Sequence, residues 1–301
     1  MSRFFPRRLV AVPAIALLAM LGVVGCGSDN KATSTSSSSS APPQPVSLTV
    51  TASEPSAGNF AFDVPTTIDG GTVQIALKNA GTQAHELQLV RVTDGTTPQQ
   101  FEKDVLEQQG APIPNYLLGP GGGAGQTAAG ATTTVTEKLD PGTYIYFCGL
   151  GDTGKEHYRT GQLGSVTVQG SKGQGDLPAA AASVKAREYA FDISGLKAGS
   201  NTVRYENTGG QLHQAVFFPI NPGATLDQVK AALSNNDPNA PPPPVDIAHL
   251  TSLEVLTPGG AEVQDNLTLQ TGTYAVACFL SDKAGGPPHF LKGMIQELVV
   301  P

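Results

Sequence analysis

"GTYIYFCGL", Gly142 to Leu150, and "GTYAVACFL", Gly272 to Leu280, are two versions of one β-rich run, and each closes on a cysteine, Cys148 and Cys278. The repetition extends outward in both directions. "NFAFDV" (59–64) matches "EYAFDI" (188–193), and "KNAGTQAHELQLV" (78–90) matches "ENTGGQLHQAVFF" (206–218). The spacing from His85 to Cys148 is 63 residues, against 65 from His213 to Cys278. The chain therefore contains two homologous units, each long enough to bury its own core. They are expected at 46–168 and 183–301, joined by a Gly- and Ala-rich linker over 169–182.

Within each unit the apolar period is two. "SLTVTA", "TVQIALKN", "HELQLVRV", "TTTVTEKL" and "GSVTVQ" alternate apolar and polar residues between Gly, Pro, Asn and Asp breaks, which predicts short antiparallel strands. "TPQQFEKDVLEQQ" (97–109) and "TLDQVKAALSN" (225–235) space their apolar residues three to four apart and predict one inserted helix per unit. The expected fold is all-β, two tandem Greek-key sandwiches with a short helix in each. "GPGGGAG" (119–125) lacks the lysine of a phosphate loop and reads as a mobile connection.

The N-terminal residues indicate export. Three arginines precede an apolar run from Leu9 to Val24, followed by Gly25 and Cys26. This is a signal peptide over 1–25. Its end, "VVGC", resembles the lipobox of bacterial lipoproteins, which implies a lipid on Cys26 and an extracytoplasmic, membrane-anchored product; the alternative is a signal-anchor helix with an unmodified Cys26. Residues 26–45 are Ser-, Thr- and Pro-rich and read as a flexible tether. Loss of Arg3, Arg7 and Arg8 leaves 15 basic against 25 acidic residues, a net charge of about −10 that argues against nucleic acid as a partner.

After processing the chain keeps Cys148 and Cys278 besides Cys26, five histidines and one methionine. His85, Cys148 and His157 stand in unit one where His213, Cys278 and His289 stand in unit two, and "HYRTGQ" (157–162) aligned with "HFLKGM" (289–294) sets Gln162 opposite Met294. His249 is left over in a Pro-rich loop and suits a solvated role. Two histidines, a cysteine and a weak axial methionine or glutamine make up the donor set of a type 1 copper site, which holds both oxidation states with little rearrangement. A disulfide between Cys148 and Cys278 is the rival for the thiols, but it leaves the histidine pattern unexplained.

In this order of ligands, carried by "NAGTQAH" and "NTGGQLH", "GTYIYFC" and "GTYAVAC", and "HFLKGM", both units resemble the cupredoxin family. The resemblance implies one copper per unit, held by His213, Cys278, His289 and Met294 in unit two and by His85, Cys148, His157 and Gln162 in unit one. It implies electron transfer with redox partner proteins at the membrane; copper storage or delivery and a metal-free binding module are the alternatives. The oxygen donor Gln162 favours the oxidised ion more than a thioether does, so unit one is expected to have the lower potential. Multicopper oxidases need further histidines, commonly in His-x-His pairs, and this chain has no such pair, so an enzyme is not expected. The departure from the family lies between cysteine and second histidine, where eight residues intervene in unit one and ten in unit two.

Overall fold

The computed structural model describes residues 44–301, apart from 109, 120, 152–154, 236 and 238. The expected signal peptide, Cys26 and the expected tether up to residue 43 lie outside the described residues. Unit one contributes β1 (Val46–Ser56), β2 (Asn59–Asp63), β3 (Thr67–Asn79), β4 (His85–Val92), β5 (Gly122–Thr127), β6 (Thr132–Leu139), β7 (Gly142–Phe147) and β8 (Leu163–Gly173). Unit two follows with β9 (Ala182–Arg187), β10 (Ala190–Ser194), β11 (Gly199–Asn207), β12 (His213–Pro219), β13 (Thr251–Leu256), β14 (Ala261–Leu269), β15 (Gly272–Ala277) and β16 (Ile295–Val300). Strand β8 runs to Gly173, so the expected linker begins as strand.

Each unit is a two-layer sandwich. In unit two, β10-β9-β11-β14 form one sheet and β13-β12-β15-β16 the other. Unit one repeats the plan with β2-β1-β3-β6 against β8-β7-β4-β5, the two layers touching where the start of β3 pairs with β8. The alternation read in the sequence supplies the fillings. Val50, Val73, Ile75, Leu77, Leu87, Val135 and Tyr144 close the first core, and Val184, Val203, Tyr205, Phe217, Leu253, Val276 and Cys278 the second. A one-residue slip in any of these strands would turn the apolar row to solvent, losing about 1.5–3 kcal/mol per large side chain.

The helices differ from expectation in one unit. The second is as read, α2 (Leu226–Ser234), opened by a capping box between Thr225 and Gln228 and burying Val229 and Leu233; α1 is only Pro98–Phe101, and the chain then widens into a π turn over Glu102–Leu106. Arg159 ties the two ends of that turn, 2.7 Å from Glu107 and 3.8 Å from Glu102.

The two units form one body because β6 and β14 pair antiparallel, Glu137 opposite Glu262, making one continuous sheet across both. The "GPGGGAG" stretch is not a mobile connection. Gly122 to Gly125 lie in buried β5, packed against β13. Side chains there would have no room: a Cβ on Gly123 would collide with the Leu87 carbonyl, and one on Gly125 with the Ser252 carbonyl of unit two. Glycine is required where two backbones approach this closely. The seam is sewn by Gln88, whose Oε1 accepts from Val255 N–H (2.8 Å) and whose Nε2 donates to the Gly122 carbonyl (2.8 Å), and by Gln264, whose Oε1 accepts from Gly125 N–H (3.0 Å).

The seam also holds buried carboxyls. Burial raises Glu137 to about 8, and burial together with the neighbouring Glu137 raises Glu262 well above the usual range. One oxygen of each has no hydrogen-bond partner. Both are therefore protonated at neutral pH.

Candidate metal centres

The ligand candidates sit at strand ends at one pole of each sandwich. His85 and His213 open β4 and β12; Cys148 and Cys278 follow β7 and β15; His157 and His289 begin 3₁₀ turns; Gln162 and Met294 precede the last strands, β8 and β16. The approach to the first histidine is fixed by the Asn-x-Gly segments. Buried Asn79 donates to the carbonyls of Gln83 (2.6 Å) and Thr127 (2.9 Å) and accepts from Gly81 N–H. Asn207 repeats this with Gln211 (2.7 Å), Leu256 (2.8 Å) and Gly209.

The long inserts return the second histidine to the cysteine by the same backbone bonds in both units. His157 N–H donates to the Leu150 carbonyl and Tyr158 N–H to that of Cys148; His289 donates to Leu280 and Phe290 to Cys278. Cys148 N–H donates to the Gln162 carbonyl and Cys278 N–H to that of Met294, each at 3.1 Å. The ten-residue loop is thus an excursion that leaves the ligand end of the fold unaltered.

Two groups result. The donor atoms of His85, Cys148 and His157 lie within 4.8 Å of one another, as do those of His213, Cys278 and His289. Cys148 Sγ is 3.5 Å from His157 Nδ1, which is 3.2 Å from His85 Nδ1, and the Gln162 Oε1 is 2.9 Å from that same His85 nitrogen. In unit two Cys278 Sγ is 3.4 Å from His289 Nδ1, and the His213 and His289 rings stand 5.0 Å apart at 56°. All six residues are buried, and both cysteines are free thiols, which removes the disulfide alternative. Met294 is fully buried in the same cluster as Cys278. His249 lies apart on the surface, 2.6 Å from Asp246.

Burial sets the protonation. It lowers His213 to about 4, helped by the neighbouring His289, and His157 to about 4, helped by His85; His85 and His289 are lowered by burial as well. All four imidazoles are neutral near pH 7. Burial also pushes the Cys278 thiol up to about 12 and Cys148 well above its ordinary value, although backbone N–H groups of Gln214 and Leu280, and of Glu86 and Leu150, point at the two sulfurs.

Carboxylates stand behind the imidazoles, and the sequence pattern did not reveal them. Glu54 lies 3.6 Å from His85 Nε2, Glu188 3.5 Å from His213 Nε2, and Asp282 3.1 Å from His289 Nε2. Burial opposes ionisation of Glu54, but hydrogen bonds from Thr82 and Gln83 outweigh it and hold the carboxyl below its ordinary value. Glu54 lies within β1, two residues before its end, whereas Glu188 sits in the turn of the second hairpin, where unit one has Asn59. The same contact is built from non-equivalent positions, so aligning the repeats cannot find it. Asp282 did carry a signal, since each insert has an aspartate four residues after its cysteine; Asp152 lies outside the described residues.

The site fits a soft metal ion on its own chemistry. His213 Nδ1 is buried without a hydrogen-bond partner, and in unit one two imidazole Nδ1 atoms lie 3.2 Å apart. Buried polar atoms left unsatisfied are costly, and an ion between them removes the penalty. Two neutral imidazoles and one sulfur at these separations are a copper donor set.

Each unit is thus an all-β sandwich that carries its candidate ligands in the order His, Cys, His and then Gln or Met. Solved structures with similarity include auracyanin A of Chloroflexus aurantiacus (24% identity, 42% of this chain, 99% of that chain, TM-score 0.28) and auracyanin of Roseiflexus castenholzii (20%, 41% and 98%, TM-score 0.27). A copper nitrite reductase of Nitrosomonas europaea is similar along most of the chain (15% identity, 86% and 94%, TM-score 0.25). No protein-family model matches the sequence, and no curated protein matches it.

Proposed function

We propose that the protein is a copper-binding electron carrier, held outside the cytoplasmic membrane by a lipid on Cys26, with one type 1 site in each unit. The observation that carries the reading is the buried His-Cys-His cage built twice, with His213 Nδ1 in the second one left without a hydrogen-bond partner among the described residues. His213, Cys278, His289 and Met294 would hold one ion and His85, Cys148, His157 and Gln162 the other. Copper would supply a one-electron couple.

The chain's own contribution is preorganisation. The Asn79 and Asn207 brackets and the backbone bonds around each cysteine fix the donors before metal arrives. Enclosure excludes water from the sulfur, which limits competing thiol oxidation. A carrier is favoured over an oxidase because a catalytic copper centre needs more imidazoles, and His249 is the one histidine outside the two cages. The tether suits a carrier that must reach partners at a membrane surface.

The test is a titration of purified protein with cupric salt. An intense visible thiolate-to-copper band saturating at two ions per chain is expected, with Cys278→Ser removing unit two's share. Absence of that band at full copper occupancy would leave the sandwiches as a metal-free or copper-handling module.

A further inference from the structure

The insert between Cys278 and His289 does more than close a loop. Asp282 leaves it to meet the outer nitrogen of His289 (Oδ1 to Nε2, 3.1 Å) and is held on three sides. Tyr189 donates its hydroxyl to Oδ1 (2.9 Å), Lys292 forms an ion pair with Oδ2, and Lys292 also lies 5.0 Å above the Tyr189 ring. That ring meets His289 edge-on at 5.1 Å. His289 is consequently sealed, with no exposed surface.

The far side of the same insert is pinned by the other unit. Ile113 N–H donates to the Lys283 carbonyl (2.8 Å), and Gly286 N–H donates to the Gly110 carbonyl (2.9 Å). Gly285 is left-handed (φ +83°), and a Cβ there would stand 2.7 Å from the Gly110 oxygen. Within unit two, Gln211 Oε1 accepts from Lys283 N–H at 2.7 Å.

We propose that this insert is a strap, clamped by unit one, that seats Asp282 as the positioning residue of His289, so that metal retention and potential at the second site depend on the first unit. The proposal rests on the copper reading above. A carboxylate accepting from Nε2–H fixes the ring in the tautomer whose Nδ1 lone pair points to the sulfur, and it makes that nitrogen a better donor. Its negative charge also favours the oxidised over the reduced ion. Because Ile113 and Gly110 belong to unit one, loosening the interface loosens the strap.

The experiment uses the full chain in a Cys148→Ser background, so that colour and potential report the second site alone. Asp282→Asn keeps the shape and removes the charge. It is expected to weaken copper binding about 10–100-fold in chelator competition and to raise the potential. Gly285→Ala, which touches no ligand, is expected to shift both in the same direction by less. In the metal-free protein, nitrogen-detected NMR of His289 should show Nε2–H in the parent and a mixed tautomer in Asp282→Asn. Unchanged affinity, potential and tautomer in Asp282→Asn would overturn the proposal, and effects in Asp282→Asn with none in Gly285→Ala would overturn the clamp by unit one. A parent without colour would instead defeat the copper reading, and the tautomer would still decide the role of Asp282.

Discussion

Replacing Glu137 with glutamine should change how stability depends on pH. In the folded protein this carboxyl, opposite Glu262 at the seam, stays protonated to about 8, against an ordinary value of 4.5. The unfolded chain ionises near the ordinary value. Between the two, unfolding releases a proton, and stability falls with rising pH by about 1.4 kcal/mol per unit. The contribution is complete below about pH 4.5 and gone above about pH 8. From pH 5.5 to 7.5 the wild type should lose about 3 kcal/mol through this one group. Glutamine is neutral at every pH and similar in shape, so Glu137→Gln should flatten the slope by about 1.4 kcal/mol per unit. Urea unfolding of metal-free protein at three pH values reads the slope. Equal slopes in wild type and variant, or a wild type that gains stability towards alkaline pH, would refute the reasoning.

Other consequences can be measured directly. Loading each site with copper should release about one proton at pH 7, because Cys278 is held near 12 and Cys148 well above its ordinary value; affinity should rise about tenfold per pH unit, read in an unbuffered titration. Met294→Gln should keep the colour and lower the potential of unit two, while Gln162→Met raises that of unit one, by voltammetry. Gly125→Ala should destabilise the chain by about 1–3 kcal/mol, because its Cβ meets the Ser252 carbonyl across the seam; a calorimetric midpoint equal to wild type would contradict the packing described.

The repeat and the soft residues were legible in the sequence because both are local facts. Alternation predicts strands, and six side chains of unusual type in matching places predict two convergent sets. The structure brings His85, Cys148 and His157 together, and likewise His213, Cys278 and His289. The carboxylates behind the rings were not legible, since Glu54 and Glu188 occupy different places in their hairpins and meet their histidines only through the loop that each one caps. "GPGGGAG" was misread for a related reason. Its composition matches that of a linker, and only the approach of β13 shows why side chains are missing. The π turn after α1 is bridged by Arg159, more than fifty residues away, and no helical period reports it.

The pairing of β6 with β14 joins corresponding strands, each being the one that precedes the cysteine strand of its own unit. An antiparallel junction between like edges is isologous: the same edge serves on both sides. Each edge is therefore complementary to its own counterpart, and the contact does not depend on the covalent link between the units. Two halves cut within the 174–181 segment should accordingly reassemble as a complementing pair instead of exposing bare strands to aggregation.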